Sequence, residues 1–183
     1  EELPILVTNL DTPAVTIDLD RVERNIARVQ DMIVRSGRAN RPHVKTHKTA
    51  EIVRLQLQHG ITRFKCSTIA EAEMTAAAGA PDVLLAMQPV GPAIARFFAL
   101  KRAFAGTAFG VIVDSEEVIA EIAKAAARSG MDVCLWLDVN SGMNRTGIEP
   151  GADAVRLYRL IHETRGLIAG GLHVYDGHIH EPD

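Results

Sequence analysis

The feature that most constrains the fold is a repeated switch in hydrophobic period along the chain. Short, nearly continuous apolar runs alternate with longer segments whose apolar side chains recur every three or four positions. The first pattern is typical of strands buried on both faces, and the second of amphipathic helices that cover them. Counting from Lys45, the predicted strands span 43–46, 63–66, 82–87, 110–114, 132–139 and 170–175. The sequence therefore predicts an α/β protein with a parallel sheet.

Six parallel strands fit either an open, doubly wound sheet or part of a (β/α)₈ TIM-type barrel. No Gly-rich turn follows any early strand, so a Rossmann-type nucleotide site has no support. A complete barrel needs roughly 250 residues, and this sequence has 183. Because the sequence stops directly after its last predicted strand, that strand would keep an uncovered apolar face. We therefore expect the front part of a longer protein, with about six of the eight barrel strands.

The helix boundaries are marked by capping residues. A strand is predicted at 14–19, before a helix over 20–36 that opens with a capping-box-like Asp20 to Glu23 segment. Later helices are predicted to begin at Thr68 and at Ser115 and, in the second case, to end at Gly130. These residue types satisfy the backbone groups that a helix leaves unpaired at its ends.

Charge and composition exclude several classes of partner. A formal charge of -3 and an aromatic content of 4% argue against a nucleic acid or an anionic membrane as the ligand. No apolar stretch has the length of a membrane span, and no basic region precedes the short apolar segment near the N-terminus. The prediction is a cytoplasmic enzyme with a small-molecule substrate.

The stretch RPHVKTHK, which begins at residue 41, contains five potentially cationic side chains. On a strand, His43, Lys45 and His47 would share one face. A polar strand end is often only a solvated rim, but this is the end of a parallel strand at which barrel enzymes gather their catalytic groups. A lysine held there among cations such as Lys48 and Arg41 should favour its neutral amine, which a Schiff-base lysine requires.

A second polar segment, DVNSGMNRTG, follows the fifth predicted strand and runs from Asp138 to Gly147. Gly142 and Gly147 permit a tight turn, and Arg145 is the permanent cation of this loop. Taken alone, such a loop is more often an ordinary turn with a solvated arginine. It gains weight because it lies at the same end of the sheet as Lys45.

PHVKTHK around Lys45, DVNSGMNRTG, and GLHVYDGH on the sixth predicted strand occur in that order from about Asp11 onward. Together they resemble the alanine-racemase-type, fold-type III pyridoxal phosphate enzymes, and most closely the D-threonine aldolase and D-serine dehydratase branch. The resemblance implies that Lys45 forms the Schiff base with pyridoxal 5′-phosphate. It also implies that Arg145 faces the phenolic oxygen of the cofactor and that Tyr175 lies against its ring.

The resemblance further implies a domain arrangement. Residues 1–19 would join a C-terminal β-domain, and residues 20–183 would form a partial alanine-racemase-like N-terminal barrel domain. In the aldolase and dehydratase branch the C-terminal domain supplies the ligands of a divalent metal (Mn, Mg or Zn), and the protein is a homodimer. No metal ligand is assigned within this sequence.

Alanine racemases have a lysine where Asp138 stands, so racemisation is less favoured. The expected activity is that of a pyridoxal-phosphate-dependent lyase of D-amino acids. Aldol cleavage of D-3-hydroxy amino acids such as D-threonine is the leading reaction, and residues 1–183 alone should be inactive.

Other functions stay open at this point. A D-serine dehydratase or an amino-acid racemase would share the same family. A non-catalytic pyridoxal phosphate carrier would use the same barrel, although the strand at 14–19 indicates a second domain. His178 and His180, with Asp176 and Asp183 nearby, also resemble the metal-binding pair of barrel hydrolases. Those enzymes place the pair on the first strand, however, so a metal-dependent hydrolase is a minor alternative.

Overall fold

The computed structural model describes residues 10–180. Six helices and five strands alternate along this part of the chain. The helices are α1 Leu19–Arg35, α2 Ala50–Gln58, α3 Ile69–Ala77, α4 Pro92–Ala103, α5 Glu116–Ser129 and α6 Ala152–Glu163. The strands are β1 Arg63–Cys66, β2 Asp82–Leu85, β3 Ala108–Val113, β4 Val133–Val139 and β5 Leu167–Val174. A 3₁₀ turn, Val44–Thr46, precedes α2.

The five strands form one parallel sheet in the order β1-β2-β3-β4-β5. A doubly wound sheet reverses its strand order at a switch point, whereas the strands of a barrel follow one another around the axis. The sequential order therefore confirms the predicted α/β fold as part of a (β/α)₈-type barrel. The carboxyl ends of all five strands meet at one edge.

The two faces of the sheet differ in chemistry. The side chains that point outward are apolar and pack against the helices; they include Phe64, Val83, Val111, Val113, Leu135 and Leu137. The intervening residues point to the barrel interior and are larger or more polar; they include Lys65, Trp136, Asp138 and His173. This alternation follows from the two-residue period of a strand.

The predicted first strand at 43–46 is wrong. Val44–Thr46 is a 3₁₀ turn, and only His43 forms a single parallel bridge, to Lys65 in β1. Lys65 N donates to the Pro42 carbonyl at 2.9 Å, and the chain then turns because His47 N and Lys48 N both donate to the Val44 carbonyl. The sheet therefore has five strands, with one bridged residue where a sixth was predicted.

The strand predicted at 14–19 is also absent from the described part of the chain, where residues 14–18 pair with no other strand. Helix α1 begins at Leu19, and its N-cap is Asp18, whose Oδ1 accepts a hydrogen bond from Arg21 N at 3.0 Å. The predicted cap at Asp20 was thus two residues late. Whether residues 1–19 join another domain remains a prediction, and residues 1–9 lie outside the described residues.

The other predicted caps are confirmed. Thr68 Oγ1 accepts from Glu71 N at 3.1 Å, and Glu71 Oε2 accepts from Ser67 N at 2.8 Å, which completes a reciprocal cap on α3. Ser115 caps α5 in the same way, and Gly130 ends that helix in the left-handed conformation with φ of 66°.

The uncovered face expected on the last strand is present. Leu172 and Val174 point outward from β5 and are 55% and 51% exposed. Beside them, an apolar groove of about 800 Å³ runs between β4, β5 and α6, with Tyr158 and Val155 on its helical side. A contiguous exposed apolar surface of this kind is typical of a surface on which another element or protein packs.

Trp136 fills the barrel interior and depends on glycines opposite it. A Cβ on Gly170 would lie 2.6 Å from Trp136 Nε1 and 2.5 Å from Cys134 Sγ, and one on Gly110 would lie 3.1 Å from the same nitrogen. The Arg41 guanidinium lies 5.6 Å from the indole ring centre. The interior at this level is therefore closed by one indole, which only glycine neighbours accommodate.

Replacing Gly170 with Ala should destabilise the protein by about 1–3 kcal/mol, because the added methyl group overlaps the indole and the Cys134 thiol. The matched control is Gly106→Ala, whose Cβ would meet no atom within 4 Å. Urea unfolding of both variants would measure the effect. Equal free energies of unfolding would show that Trp136 can move at no cost.

Candidate active site

A cavity of about 530 Å³ opens at the carboxyl ends of the strands. Its walls come from the 3₁₀ turn, from the ends of all five strands and from the loop that follows β4. The polar or charged residues that line it are His43, Lys45, Lys65, Ser67, Gln88, Asp114, Asp138, Arg145, Thr146, His173 and Tyr175. The three residues predicted to bind the cofactor, Lys45, Arg145 and Tyr175, thus border one cavity.

Lys45 reaches the cavity from the 3₁₀ turn. The turn is fixed by His43, because Lys45 N donates to His43 Nδ1 at 3.3 Å and Thr46 Oγ1 donates to the His43 carbonyl at 3.2 Å. Val44, between them, is fully buried in the core. The turn therefore anchors Lys45 by its backbone and leaves its side chain free toward the cavity.

The cationic neighbours expected around Lys45 lie elsewhere. Arg41 forms a two-point contact with Asp82, at 2.7 and 3.0 Å, near the opposite end of the strands. Lys48 Nζ lies 3.5 Å from Glu71 Oε1. His47, which a strand would have placed beside Lys45, turns away because its Nδ1 accepts a hydrogen bond from Thr49 N at 3.1 Å.

The cation that does share the cavity with Lys45 is Lys65, which the sequence analysis did not single out. Its side chain points inward from β1, and Nζ lies 3.4 Å from His173 Nε2. Burial, and next the positive charge of Lys45, lower the pKa of Lys65. The sequence could have predicted this position. In the strand RFKC, side chains alternate between the two faces, so Lys65 must lie on the face opposite to the buried Phe64 and Cys66.

Asp138 on β4 and His173 on β5 are joined by a hydrogen bond. His173 Nδ1 lies 2.6 Å from Asp138 Oδ1, and since a carboxylate only accepts, the imidazole carries its proton on Nδ1. Nε2 then accepts from the Lys65 ammonium. Asp138 is 3% exposed, and its second oxygen, Oδ2, has no hydrogen-bond partner within the described residues.

The loop after β4 is organised by Asn140, a second residue that the sequence analysis missed. Its Oδ1 accepts from Gly142 N and Asn144 N, both at 3.0 Å, and its Nδ2 donates to Glu149 Oε1 at 2.6 Å. Asn140 is 8% exposed, so these contacts are shielded from water. The loop that carries Arg145 is therefore held from inside.

The far end of this loop is fixed by Gly147. It has φ of 95°, and a Cβ there would lie 2.6 Å from Asn140 N, so only glycine fits. Gly147 N donates to Asp114 Oδ2 at 3.0 Å, and the other oxygen of Asp114 accepts from Gln88 Nε2 at 2.8 Å. The ends of β2, β3 and β4 are thereby tied together.

Two cations lie near the ring of Tyr175. The Arg145 guanidinium is 5.0 Å from the centre of its ring, and Lys65 Nζ is 5.9 Å from it. Ser141 Oγ donates to the Tyr175 carbonyl at 2.8 Å. The distances from Arg145 and Lys65 to the centre of the Tyr175 ring are within the range of cation–π attraction.

The cavity has the charge and shape that an anionic aromatic cofactor needs. Lys45, Lys65 and Arg145 all line it, and none of them takes part in an ion pair within residues 10–180. Its carboxylates, Asp114 and Asp138, are already hydrogen-bonded. A ligand with several negative groups and a planar ring would complement this set.

The histidines near the end of the chain do not build a metal centre in the described residues, where no three His, Cys, Asp or Glu side chains are placed to hold an ion. His178 instead lies against the loop, since a Cβ on Gly142 would be 3.1 Å from its Nε2. Residues 10–180 therefore give the hydrolase alternative no support. Asp183 lies outside the described residues.

None of the helices in residues 10–180 is long and apolar enough to cross a membrane.

The fold of this chain agrees with that of known proteins. The family model of the alanine racemase N-terminal domain matches residues 17–183, so the chain belongs to this family. The chain is similar to the D-threo-3-hydroxyaspartate dehydratase of Delftia sp. (strain HT23), with 35% identity over 177 residues, or 95% of this chain and 46% of the relative. It is also similar to the D-threonine aldolase of Arthrobacter sp, with 29% identity over 174 residues, or 94% and 45% of the two chains.

Among solved structures, the D-threonine aldolase from Filomicrobium marinum superimposes with a TM-score of 0.85 at 32% identity. The match covers 91% of this chain and 44% of that one. The chain thus spans less than half the length of the relatives it matches.

The pKa of His43 makes the stability of the site depend on pH. Burial, and next the positive charge of Lys65, lower it from 6.5 to about 4. Since the unfolded chain binds this proton near pH 6.5, the contribution of His43 is fully present above that pH and is lost as the pH falls toward about 4. Because His43 is only half-buried, solvent screening reduces the effect to about 1 kcal/mol.

Replacing His43 with Gln should therefore flatten the fall in stability between about pH 7 and about pH 5. Urea unfolding of wild type and variant at both values measures the two slopes, and a series at about pH 8 provides the reference. Identical slopes would contradict the lowered pKa.

Proposed function

We propose that the protein is a pyridoxal-phosphate-dependent lyase that acts on D-3-hydroxy amino acids. The observation that carries the proposal is the convergence of Lys45, Arg145 and Tyr175 on one cationic cavity at the carboxyl ends of the barrel strands. The names of the relatives support this substrate class, since they comprise a D-threo-3-hydroxyaspartate dehydratase and D-threonine aldolases.

In this proposal Lys45, which lies on the hydrogen-bonded 3₁₀ turn, would hold the cofactor through its amine. Arg145, held by the Asn140-centred loop, faces the phenolic oxygen, and Tyr175 packs against the ring. When bound, pyridoxal phosphate supplies an electron sink that stabilises negative charge at the substrate Cα. The Lys45 amine would also be placed to carry a proton to or from the substrate.

Aldol cleavage of substrates such as D-threonine is the leading reaction, and water elimination is the second candidate. The dehydratase at 35% identity supports elimination, whereas the aldolase at 29% identity and the D-threonine aldolase structure with a TM-score of 0.85 support cleavage. Asp138 stands where racemases have a lysine, and its carboxylate is committed to His173, which disfavours racemisation. The names of the relatives, a dehydratase and an aldolase, favour an enzyme over a carrier without catalysis.

We also propose that the chain acts with a further C-terminal β-domain, to which residues 1–19 contribute, and that this domain brings a divalent metal. The exposed outer face of β5 and the groove beside it give additional barrel elements a surface to pack on. A homodimer in the cytoplasm belongs to the same proposal, and it rests on the resemblance alone.

Lys45 should be the attachment point of the cofactor. In the full-length protein, borohydride should fix pyridoxal phosphate to the peptide that contains Lys45, and Lys45→Ala should abolish the adduct. Lys48→Ala is the matched control, because Lys48 is paired with Glu71. Peptide mass analysis locates the label, and an adduct on another lysine in wild type would refute the assignment.

The substrate class can be tested with a panel of D- and L-amino acids, with and without EDTA. We expect the full-length protein to consume D-threonine or D-3-hydroxyaspartate and to lose activity with EDTA, because the proposed metal would polarise the substrate hydroxyl group. Residues 1–183 alone should be inactive. Glycine plus an aldehyde as products indicates cleavage, and ammonia plus a keto acid indicates elimination. Turnover of L-isomers only would overturn the proposal.

A further inference from the structure

Of the three cations Lys45, Lys65 and Arg145 that line the cavity, Lys65 is the one to which the proposed function gives no role. Its side chain crosses the barrel interior from β1 to reach His173 on β5, a residue 108 positions later in the chain. His173 is held in turn by Asp138 from β4 at 2.6 Å. Three strands therefore cooperate to fix one ammonium group.

The ammonium is fixed but not neutralised. A half-buried lysine costs free energy unless an anion or several acceptors compensate it. Within residues 10–180, Lys65 has one long hydrogen-bond contact, to His173 Nε2 at 3.4 Å, and lies 5.9 Å from the centre of the Tyr175 ring. Asp138 acts on Lys65 through its charge but forms no ion pair with it, because its Oδ1 is bonded to His173. The site is therefore organised for a negative group that the described residues do not supply.

Arg145 approaches the same tyrosine from its own loop, with its guanidinium 5.0 Å from the ring centre. Two cations from different parts of the fold thus lie near one aromatic ring. Because Lys65 and Arg145 line the same cavity as Tyr175, a planar ligand that occupies this cavity can meet both cations. A negatively charged oxygen between them would be stabilised by both.

We propose that Lys65 is a cofactor-binding residue that acts with Arg145 as a pair of cations on the phenolic oxygen of pyridoxal phosphate. The inference rests on the proposed function, since it assumes that this cofactor enters the cavity. The Asp138–His173 pair acts as the support that keeps the Lys65 ammonium in place.

The charge environment of Lys65 includes groups from every neighbouring element. The cations are Arg41, His43 when protonated, Lys45 and Arg145; the anion is Asp138, and the neutral partners are His173 and Tyr175. The excess of cations explains why the pKa of Lys65 is lowered, after the larger effect of burial. A phenolate would reverse this imbalance and hold the proton on Lys65.

The test compares two ligands in the full-length protein. Pyridoxal phosphate has the phenolic oxygen, and its 3-O-methyl ether lacks the negative charge at that position. Lys65→Met should weaken the binding of pyridoxal phosphate about 10-fold and that of the ether far less, since only the first ligand loses an ion pair. Lys65→Gln is the second variant in case the first does not fold, and thermal melting of the apoprotein checks both.

The matched control is Lys101→Met. Lys101 is also a half-buried lysine whose pKa is lowered by burial, but it does not line the cavity. The Lys101→Met protein should bind pyridoxal phosphate and its 3-O-methyl ether as tightly as the wild type does.

A spectroscopic titration gives an independent readout. A nearby cation disfavours protonation of the cofactor-linked nitrogen, so Lys65→Met should raise the pH at which the bound cofactor changes colour by about one pH unit. Equal losses for both ligands, or an unchanged colour transition, would overturn the assignment of Lys65. If wild type bound neither ligand, the proposed function itself would fail, so the two failures are distinguishable.

Discussion

The two-residue period of the parallel strands is the constraint on which the rest of this structure depends. In β4, it sends Val133, Leu135 and Leu137 outward against the helices, and it sends Trp136 and Asp138 inward. Burial of the outward set supplies the main driving force for folding. The inward set is thereby placed by the same interaction, so the positions of the polar groups are fixed by apolar packing on the opposite face of each strand.

The two ends of the barrel interior differ in whether their cations are paired with carboxylates. Near the amino ends of the strands, Arg41 is neutralised by Asp82 and covers the Trp136 ring. Near the carboxyl ends, Lys45, Lys65 and Arg145 lack carboxylate partners in the described residues. The indole, closed in by glycines, separates these two levels. A chain with a net charge of -3 can therefore present a locally cationic cavity.

The sequence predicted those parts of the fold that local rules control. Thr68, Ser115 and Gly130 marked helix ends correctly, because capping depends on residues within one turn. The strand at 43–46 was wrong, because a short polar segment has no hydrophobic period and tertiary contacts with β1 decided its turn. The prediction that Arg41 and Lys48 surround Lys45 was wrong for the same reason, since these side chains pair with Asp82 and Glu71. Lys65 pairs with a residue 108 positions away, which no local pattern encodes.

The unsatisfied groups of the cavity are its most informative feature. A folded chain normally pairs its buried polar atoms, yet Asp138 Oδ2 has no partner among residues 10–180, and three cations line the same cavity. Such local costs persist only where the surrounding structure is stable enough to bear them, and they concentrate at functional sites. Here the Asn140 contacts and the tie from Gly147 to Asp114 hold the walls in place. The cavity is therefore preorganised, and an incoming ligand gains the interactions without bearing the cost of ordering the residues that make them.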